Sequence, residues 1–142
     1  MRNFLAVIGV IVICAIGFVA FKMLQPVPEE LDLATTRMTD GQHFSVSIAP
    51  ENPEYRRNDL HVWIATITTA EGVPVDDATL LVDGGMPQHG HGLPTAPEMT
   101  EGLGDGRYKI EGVRFNMGGW WEFKLSITAG EVSDVITFNL VF

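Results

Sequence analysis

The sequence has few of the features by which most enzymes and nucleic-acid-binding proteins are identified. It contains one cysteine, Cys14, and nine basic residues against 18 acidic ones. It has no Gly-rich phosphate loop, no nucleophile elbow and no H-E-x-x-H zinc motif. The formal net charge of −9 argues against nucleic acid as a partner. We therefore expect a binding or assembly protein, not an enzyme.

Charged and polar side chains are also missing from residues 4–21, which read FLAVIGVIVICAIGFVAF. As a helix, such a run reaches roughly 27 Å, close to the ~30 Å hydrocarbon core of a bilayer. A cleaved signal peptide is the alternative, but it needs a shorter apolar region followed by small residues, whereas this run continues into Phe-Lys-Met-Leu-Gln-Pro. The pattern favours an N-terminal transmembrane helix over residues 1–22, with residues 4–21 in the membrane.

The charge of the remaining chain predicts its location. Beyond Lys22 there are 18 acidic and seven basic residues, a net of −11, and no cysteine. Because large acidic domains after a first apolar segment are usually exported, we expect a single-pass protein of the cell inner membrane whose domain faces the periplasm. Without disulfides, that domain must be stabilised by its own core. Residues 23–38 contain Pro26, Pro28 and adjacent glutamates, which predict an extended linker.

Alternation of apolar and polar residues predicts β-strands through residues 39–142. The clearest strand is Leu60–Thr69, in which His61 and Trp63 share one face. Gly112 interrupts a later strand and predicts a bulge. Further strands are predicted over residues 42–49, 78–82, 107–115, 120–128 and 132–142. Six or seven short strands without helical periodicity indicate an all-β fold, an immunoglobulin-like antiparallel β-sandwich.

Residues 86–99, which read MPQHGHGLPTAPEM, interrupt this pattern. Three prolines and two glycines predict a loop, and loops on rigid scaffolds often contain binding residues. His89 and His91 stand two apart, which puts both rings on one side of an extended segment, about 6–7 Å apart. Thioether and imidazole together suit Cu(I). The candidate metal ligands are His89, His91, Met86, Met99 and Met117.

Other residues have secondary roles in this interpretation. Trp120 or Trp121 could shield a bound ion, and Asp83 could orient a histidine. His43 and His61 lie on strands, where a structural role is expected. A second interpretation stays open: prolines and glycines alone can fix the shape of the loop, so that it would be a metal-free interaction or assembly module for an envelope or respiratory complex.

The motifs of this region also resemble a known family. The Met-Pro-Gln-His-Gly-His-Gly loop and the Leu-Pro-Thr-Ala-Pro that follows it resemble the bacterial YtkA-like domain family, with FixH-like proteins as relatives. The closing pattern of the resemblance is Gly106-Arg-Tyr108…Phe115-x-Met117-x-Gly119-x-Trp121-x-Phe123.

The resemblance covers about residues 40–142. It implies an exported or membrane-anchored β-sandwich, and its FixH-like relatives are tied to copper supply and assembly of respiratory oxidases. A copper-accepting or respiratory-complex protein is therefore the implied partner. CopC-like copper carriers share the closing pattern, but they normally begin with a histidine that binds Cu(II). This chain has no such residue, which argues against Cu(II) binding of that type.

Overall fold

The computed structural model describes residues 2–23, 28 and 30–142, with side chains in the helix described for residues 7–21. Residues 24–27 and 29 of the predicted linker, and Met1 of the predicted anchor, lie outside this description.

The N-terminal apolar run forms helix α1, Arg2–Met23. The large side chains described in α1, within residues 7–21, are apolar and exposed, as Ile13 (69%) and Phe21 (64%) illustrate. Among the residues that the structure describes, no helix combines the length and the apolarity needed to cross a membrane.

The described chain beyond α1 folds into nine β-strands. In chain order they are β1 Thr36–Met38, β2 Phe44–Pro50, β3 His61–Thr69, β4 Thr79–Met86, β5 His91–Gly92, β6 Glu98–Gly104, β7 Arg107–Val113, β8 Trp120–Ala129 and β9 Val132–Val141.

The strands form two antiparallel sheets that make a sandwich, as expected. One sheet has the order β1-β2-β3-β7-β6, and the other has the order β5-β4-β8-β9. The core lies between them, and its largest buried side chains include Trp63, Phe115, Trp121, Phe123 and Phe138, which are at most 2% exposed. Because every second residue of a strand faces one side, the alternation read from the sequence produces this core.

Several local predictions are confirmed. His61 and Trp63 lie on one face of β3, as predicted, and the structure buries this face. The register between β3 and β7 shifts where Gly112 lies, and Gly112 has a φ of 79°, so the predicted bulge is present. The prediction of an uninterrupted loop over residues 86–99 is wrong, because Met86 ends β4, His91–Gly92 forms β5, and β6 begins at Glu98.

Three strands were not predicted. β1 falls within the segment expected to be a linker and pairs with β2. β5 is only two residues long. β6 was missed because it is an exposed edge strand whose sequence, Glu-Met-Thr-Glu-Gly-Leu-Gly, has no sustained apolar alternation.

Candidate metal site

The two histidines of the predicted site are held by the hairpin that joins β4 to β5. Gly85 pairs with Gly92, and Met86 pairs with His91. The N–H groups of His89 and Gly90 both donate to the carbonyl oxygen of Met86, at 3.0 and 2.9 Å. Gly90 closes the turn with a φ of 67°, a conformation that costs glycine little. The hairpin therefore has a defined register.

That register places Met86 and His91 on the same face of the hairpin, because directly opposite residues of an antiparallel pair point the same way. Met86 is 1% exposed, whereas His91 is exposed. The methyl group of Met86 packs over Gly119, where an added Cβ would lie 3.1 Å from it. The pair thus spans the boundary between the core and solvent.

The two imidazole rings lie side by side. Their centroids are 5.9 Å apart and their planes differ by 17°. Nδ1 of His91 lies 3.2 Å from the carbonyl oxygen of Gly92. Because a carbonyl can only accept, this contact requires the proton on Nδ1, and in the neutral ring Nε2 then has the free lone pair. This is the tautomer in which a histidine binds a metal through Nε2.

The indole ring of Trp121 packs against the imidazole ring of His91. The centroids of His91 and Trp121 are 6.1 Å apart, with an edge-to-face angle of 67°. Trp121 is fully buried in β8 and donates its indole N–H to the carbonyl oxygen of Met117 at 3.1 Å. Of the two tryptophans considered as a shield for an ion, Trp121 packs against His91, whereas Trp120 donates its indole N–H to the side-chain oxygen of Asn139.

The two remaining methionines occupy different places. Met117 lies at the same end of the sandwich, through its contact with Trp121, and its side chain is 39% exposed. Met99 lies on β6, where it is partly buried and lines a groove with Leu80 and Val82. Since Val82 precedes Met86 by four strand residues, or about 13 Å, Met99 is not brought to the histidines.

A groove of about 320 Å³ runs along the outer side of the hairpin and is lined by His91, Asp83, Glu122 and Lys124. Lys124 forms an ion pair with Glu122 at 2.8 Å, and this hydrogen bond raises the pKa of Lys124. Asp83 accepts a hydrogen bond from the N–H of Gly84 at 2.7 Å. Asp83 is therefore engaged with the backbone beside it.

The side chains at the hairpin limit which metal it could hold. Within the described residues, no three His, Cys, Asp or Glu side chains cluster in a way that could hold an ion. A metal at the hairpin would therefore depend on the thioether of Met86, which suits Cu(I) better than Zn²⁺ or Mg²⁺. Since imidazole lone pairs lie in the ring plane, two nearly parallel rings do not yet aim at one point. Rotation of the exposed His91 ring would be needed.

The other two histidines have structural surroundings. His61 is 5% exposed, and its Nε2 lies 2.6 Å from the carbonyl oxygen of Arg56. His43 places Nδ1 3.0 Å from a carboxylate oxygen of Asp134. Burial alone would raise the pKa of Asp134, but hydrogen bonds from Thr39, Gly41, Val135 and His43 hold it well below its usual value. These contacts tie the β1–β2 turn to β9.

Sequence reasoning missed the glycine pair that sets the hairpin register. An added Cβ on Gly85 would collide with the carbonyl oxygen of His91 and lie 2.9 Å from the Cα of Gly92. Close approach of the two strands therefore requires glycine at position 85. The signal was present as a Gly-Met and a His-Gly pair that flank a four-residue turn, which is a hairpin spacing.

The family model described as YtkA-like matches residues 34–126, which is more than half of the chain. Neither the curated proteins nor the solved structures compared with the chain include a match.

Proposed function

The chain belongs to the YtkA-like family, and on that premise we propose that it binds and handles copper, as Cu(I), at the β4–β5 hairpin. The observation that supports this most strongly is the pairing of Met86 with His91, with His89 beside it. It places a buried thioether and two imidazoles at one end of the sandwich. No catalytic step is proposed.

In this proposal the ligands are Met86, His89 and His91. One thioether and two imidazoles provide the three soft-to-intermediate donors that suit Cu(I). Met117 is the candidate for a further sulfur, because its exposed side chain belongs to the segment that contacts Trp121. The indole ring would limit access of water to the ion.

We also propose that α1 anchors the protein in the cell inner membrane, with the sandwich on the periplasmic side. The support is the uninterrupted apolar run over residues 4–21 together with the exposure of every large side chain described in α1. A helix that is apolar all round is normally covered by protein or lipid. The acidic character of the remaining chain, which disfavours contact with anionic lipid, is consistent with a domain held off the bilayer.

The sandwich is proposed to be immunoglobulin-like. Strands β2-β3-β7-β6 and β4-β8-β9 follow the order ABED and CFG of the constant-type arrangement. In that comparison the β4–β5 hairpin starts at the end of strand C, at one end of the sandwich where loops cluster.

A metal-free role as an interaction or assembly module, for instance toward a respiratory complex, is the second candidate. It is favoured by the hydrogen bonds to the carbonyl oxygen of Met86, which define the turn without an ion. Under this hypothesis the exposed hairpin tip contacts a partner protein and the histidines are incidental.

The two candidates are distinguished by the ring resonances of the four histidines in an NMR titration of the full-length protein with Cu(I). Copper binding at the hairpin should shift the resonances of His89 and His91 and saturate at one equivalent. The signals of His43 and His61 serve as internal controls and should stay unchanged. Unshifted His89 and His91 resonances at equimolar Cu(I) would reject the copper proposal and favour the metal-free module.

A further inference from the structure

Over the described residues, only β5 pairs with the outer edge of β4, the first strand of the β4–β5 hairpin. β5 is two residues long and pairs only with the Gly85–Met86 end of β4. One more hydrogen bond joins the N–H of Leu93 to the carbonyl oxygen of Gly84, at 3.1 Å. At Pro94, which has no N–H, the chain leaves β4 for the other sheet. In the described part of the chain, no strand pairs with the Thr79–Asp83 portion of this edge.

The backbone groups at this edge can be identified from the pairing. The carbonyl oxygen of Gly84 faces the edge, because it accepts from Leu93. The register with β8 runs without a shift from Thr79 to Gly85, so the direction of the backbone groups alternates regularly. The N–H and C=O groups of Leu80 and Val82 therefore also face the edge. Over the residues described, these four groups have no hydrogen-bond partner.

The opposite edge of the same sheet, formed by β9, accepts hydrogen bonds from residues of the β1–β2 region. There, the N–H of Asp40 donates to the carbonyl oxygen of Val135 at 2.9 Å. The guanidinium of Arg37 donates to the carbonyl oxygen of Thr137 at 2.6 Å. Natural sheets commonly protect an edge in this way against pairing with another chain. Over the residues described, no such hydrogen bond covers the edge of β4 at Leu80 and Val82. Residues 96–99 lie across from this edge and form the far wall of an open groove of about 390 Å³.

We propose that β4 pairs with β4 of a second copy of this chain, antiparallel and centred on Leu81. In this register Leu80 lies opposite the partner's Val82, and Val82 lies opposite the partner's Leu80. Each of these two pairs exchanges two N–H···O=C bonds, so that all four free groups of each copy are used. Leu81 then faces the partner's Leu81.

The side chains of residues 79–83 favour pairing with a second copy of this chain over pairing with an unrelated peptide. The sequence Thr-Leu-Leu-Val-Asp is polar at both ends and apolar between them, so it is complementary to its own reverse. Leu81, which is 70% exposed, would be covered by its symmetry mate. Asp83 would oppose the partner's Thr79, so no two like charges face each other within the five-residue overlap.

The small size of the strand pair limits the affinity of the proposed dimer. A five-residue strand pair is smaller than the ~1,600 Å² of a standard interface, so a weak and concentration-dependent dimer is expected. Each copy has a formal net charge of −9, and the repulsion between copies decreases with salt. Raising the ionic strength should therefore strengthen the dimer.

Disulfide trapping of the full-length protein in detergent tests the register. The variant Leu81→Cys is made in a Cys14→Ser background, so that it contains one thiol. Opposed residues of a non-hydrogen-bonded pair have Cα atoms ~4.5 Å apart, within the range for a disulfide. We expect a covalent dimer under mild oxidation. Leu60→Cys in the same background is the matched control, since Leu60 is 68% exposed but not on this edge, and it should stay largely monomeric.

Sedimentation of the full-length protein in detergent at several concentrations gives the second readout. Leu81→Glu should dissociate the dimer, because two carboxylates would meet on the symmetry axis, whereas Leu60→Glu should leave it intact. A wild-type protein that is monomeric throughout, a dimer that persists in Leu81→Glu, or equal trapping of the two cysteine variants would overturn the proposal. The test does not depend on copper, since Leu81 lies about 16 Å along the strand from Met86.

Discussion

Met86 and His91 lie directly opposite each other across the β4–β5 pair, one side chain in the core and the other in solvent. The thioether sulfur of Met86 is shielded from water, whereas the imidazole of His91 is accessible to an ion in solution. His89 stacks beside His91 at 5.9 Å. The hairpin thus holds a buried thioether, a half-buried imidazole and an exposed imidazole, and the copper proposal rests on this arrangement.

Replacement of Gly85 by alanine should separate the two strands of the hairpin. The new methyl group would collide with the carbonyl oxygen of His91, so we expect a loss of about 1–3 kcal/mol in the free energy of unfolding and weaker Cu(I) binding. Gly92→Ala is the matched control, because its Cβ would meet only the carbonyl oxygen of Gly84 at an ordinary 3.4 Å. Urea denaturation and Cu(I) titration of both variants measure the difference. Equal behaviour of the two variants would show that the close approach at Gly85 is unimportant.

Replacement of Met86 by leucine should change metal preference more than stability. The two side chains are similar in volume, so the free energy of unfolding should fall by less than about 1.5 kcal/mol. Loss of the thioether should weaken Cu(I) binding but leave any weak Zn²⁺ binding by the imidazoles unchanged, because Zn²⁺ gains little from a thioether. Competition titrations with both ions test this. A parallel loss of affinity for both ions would indicate a disturbed hairpin and not a lost ligand.

Replacement of Asp134 by asparagine should destabilise the sandwich in a pH-dependent way. The carboxylate accepts hydrogen bonds from Thr39 at 2.6 Å and from the N–H of Gly41 at 2.9 Å, so we expect a loss of roughly 2–3 kcal/mol at pH 7. The folded pKa of Asp134 is lowered, so its contribution is complete above the unfolded value of ~3.9 and declines as the pH falls toward the folded value. The difference between wild type and Asp134→Asn in urea denaturation should therefore shrink from pH 7 to pH 3.

The control for this prediction is Asp40→Asn, which alters an exposed acid in the same turn. It should change the stability by no more than about 0.5 kcal/mol at either pH. A difference for Asp134→Asn that is constant with pH would contradict the assignment of the stabilisation to the ionised carboxylate.

Replacement of Tyr108 by phenylalanine should also destabilise the fold. The buried hydroxyl donates to the carbonyl oxygen of Val75 at 2.5 Å and accepts from the N–H of Ala78 at 2.9 Å. Its removal leaves two backbone groups unpaired at the turn that leads into β4, which costs about 1–3 kcal/mol. Thermal unfolding of Tyr108→Phe, with the half-buried Tyr55→Phe as the control, measures this. A Tm equal to that of the control would show that solvent replaces these bonds.

Much of the fold could be predicted because its strands are amphipathic with a period of two. β3 and β8 alternate strictly between buried and less buried residues, and this alternation makes both recognisable as strands in the sequence. The bulge at Gly112 could be predicted because a glycine within an alternating strand often marks a bulge or a close approach of two backbones. β6 could not, since an exposed edge strand buries too little apolar surface to leave a pattern.

The sequence indicates where a candidate site would lie, but it does not give the geometry of its residues. The residue types of His89 and His91 indicated metal chemistry, but only the hairpin register shows that Met86 faces His91. Met86 and Met99 stand at the two ends of segment 86–99, so the sequence alone does not distinguish them as candidate ligands. They are separated in the fold because the prolines after β5 direct the chain into the other sheet.

Binding of copper at the β4–β5 hairpin can be measured by competition of the full-length protein with a chromophoric Cu(I) chelator. The account predicts one Cu(I) per chain, no competition by the double variant His89→Asn/His91→Asn, and an affinity about tenfold or more lower for Met86→Leu. The controls Met99→Leu and His43→Asn should match wild type. A wild-type protein that cannot compete with the chelator, or a Met99→Leu variant that loses as much affinity as Met86→Leu, would contradict it.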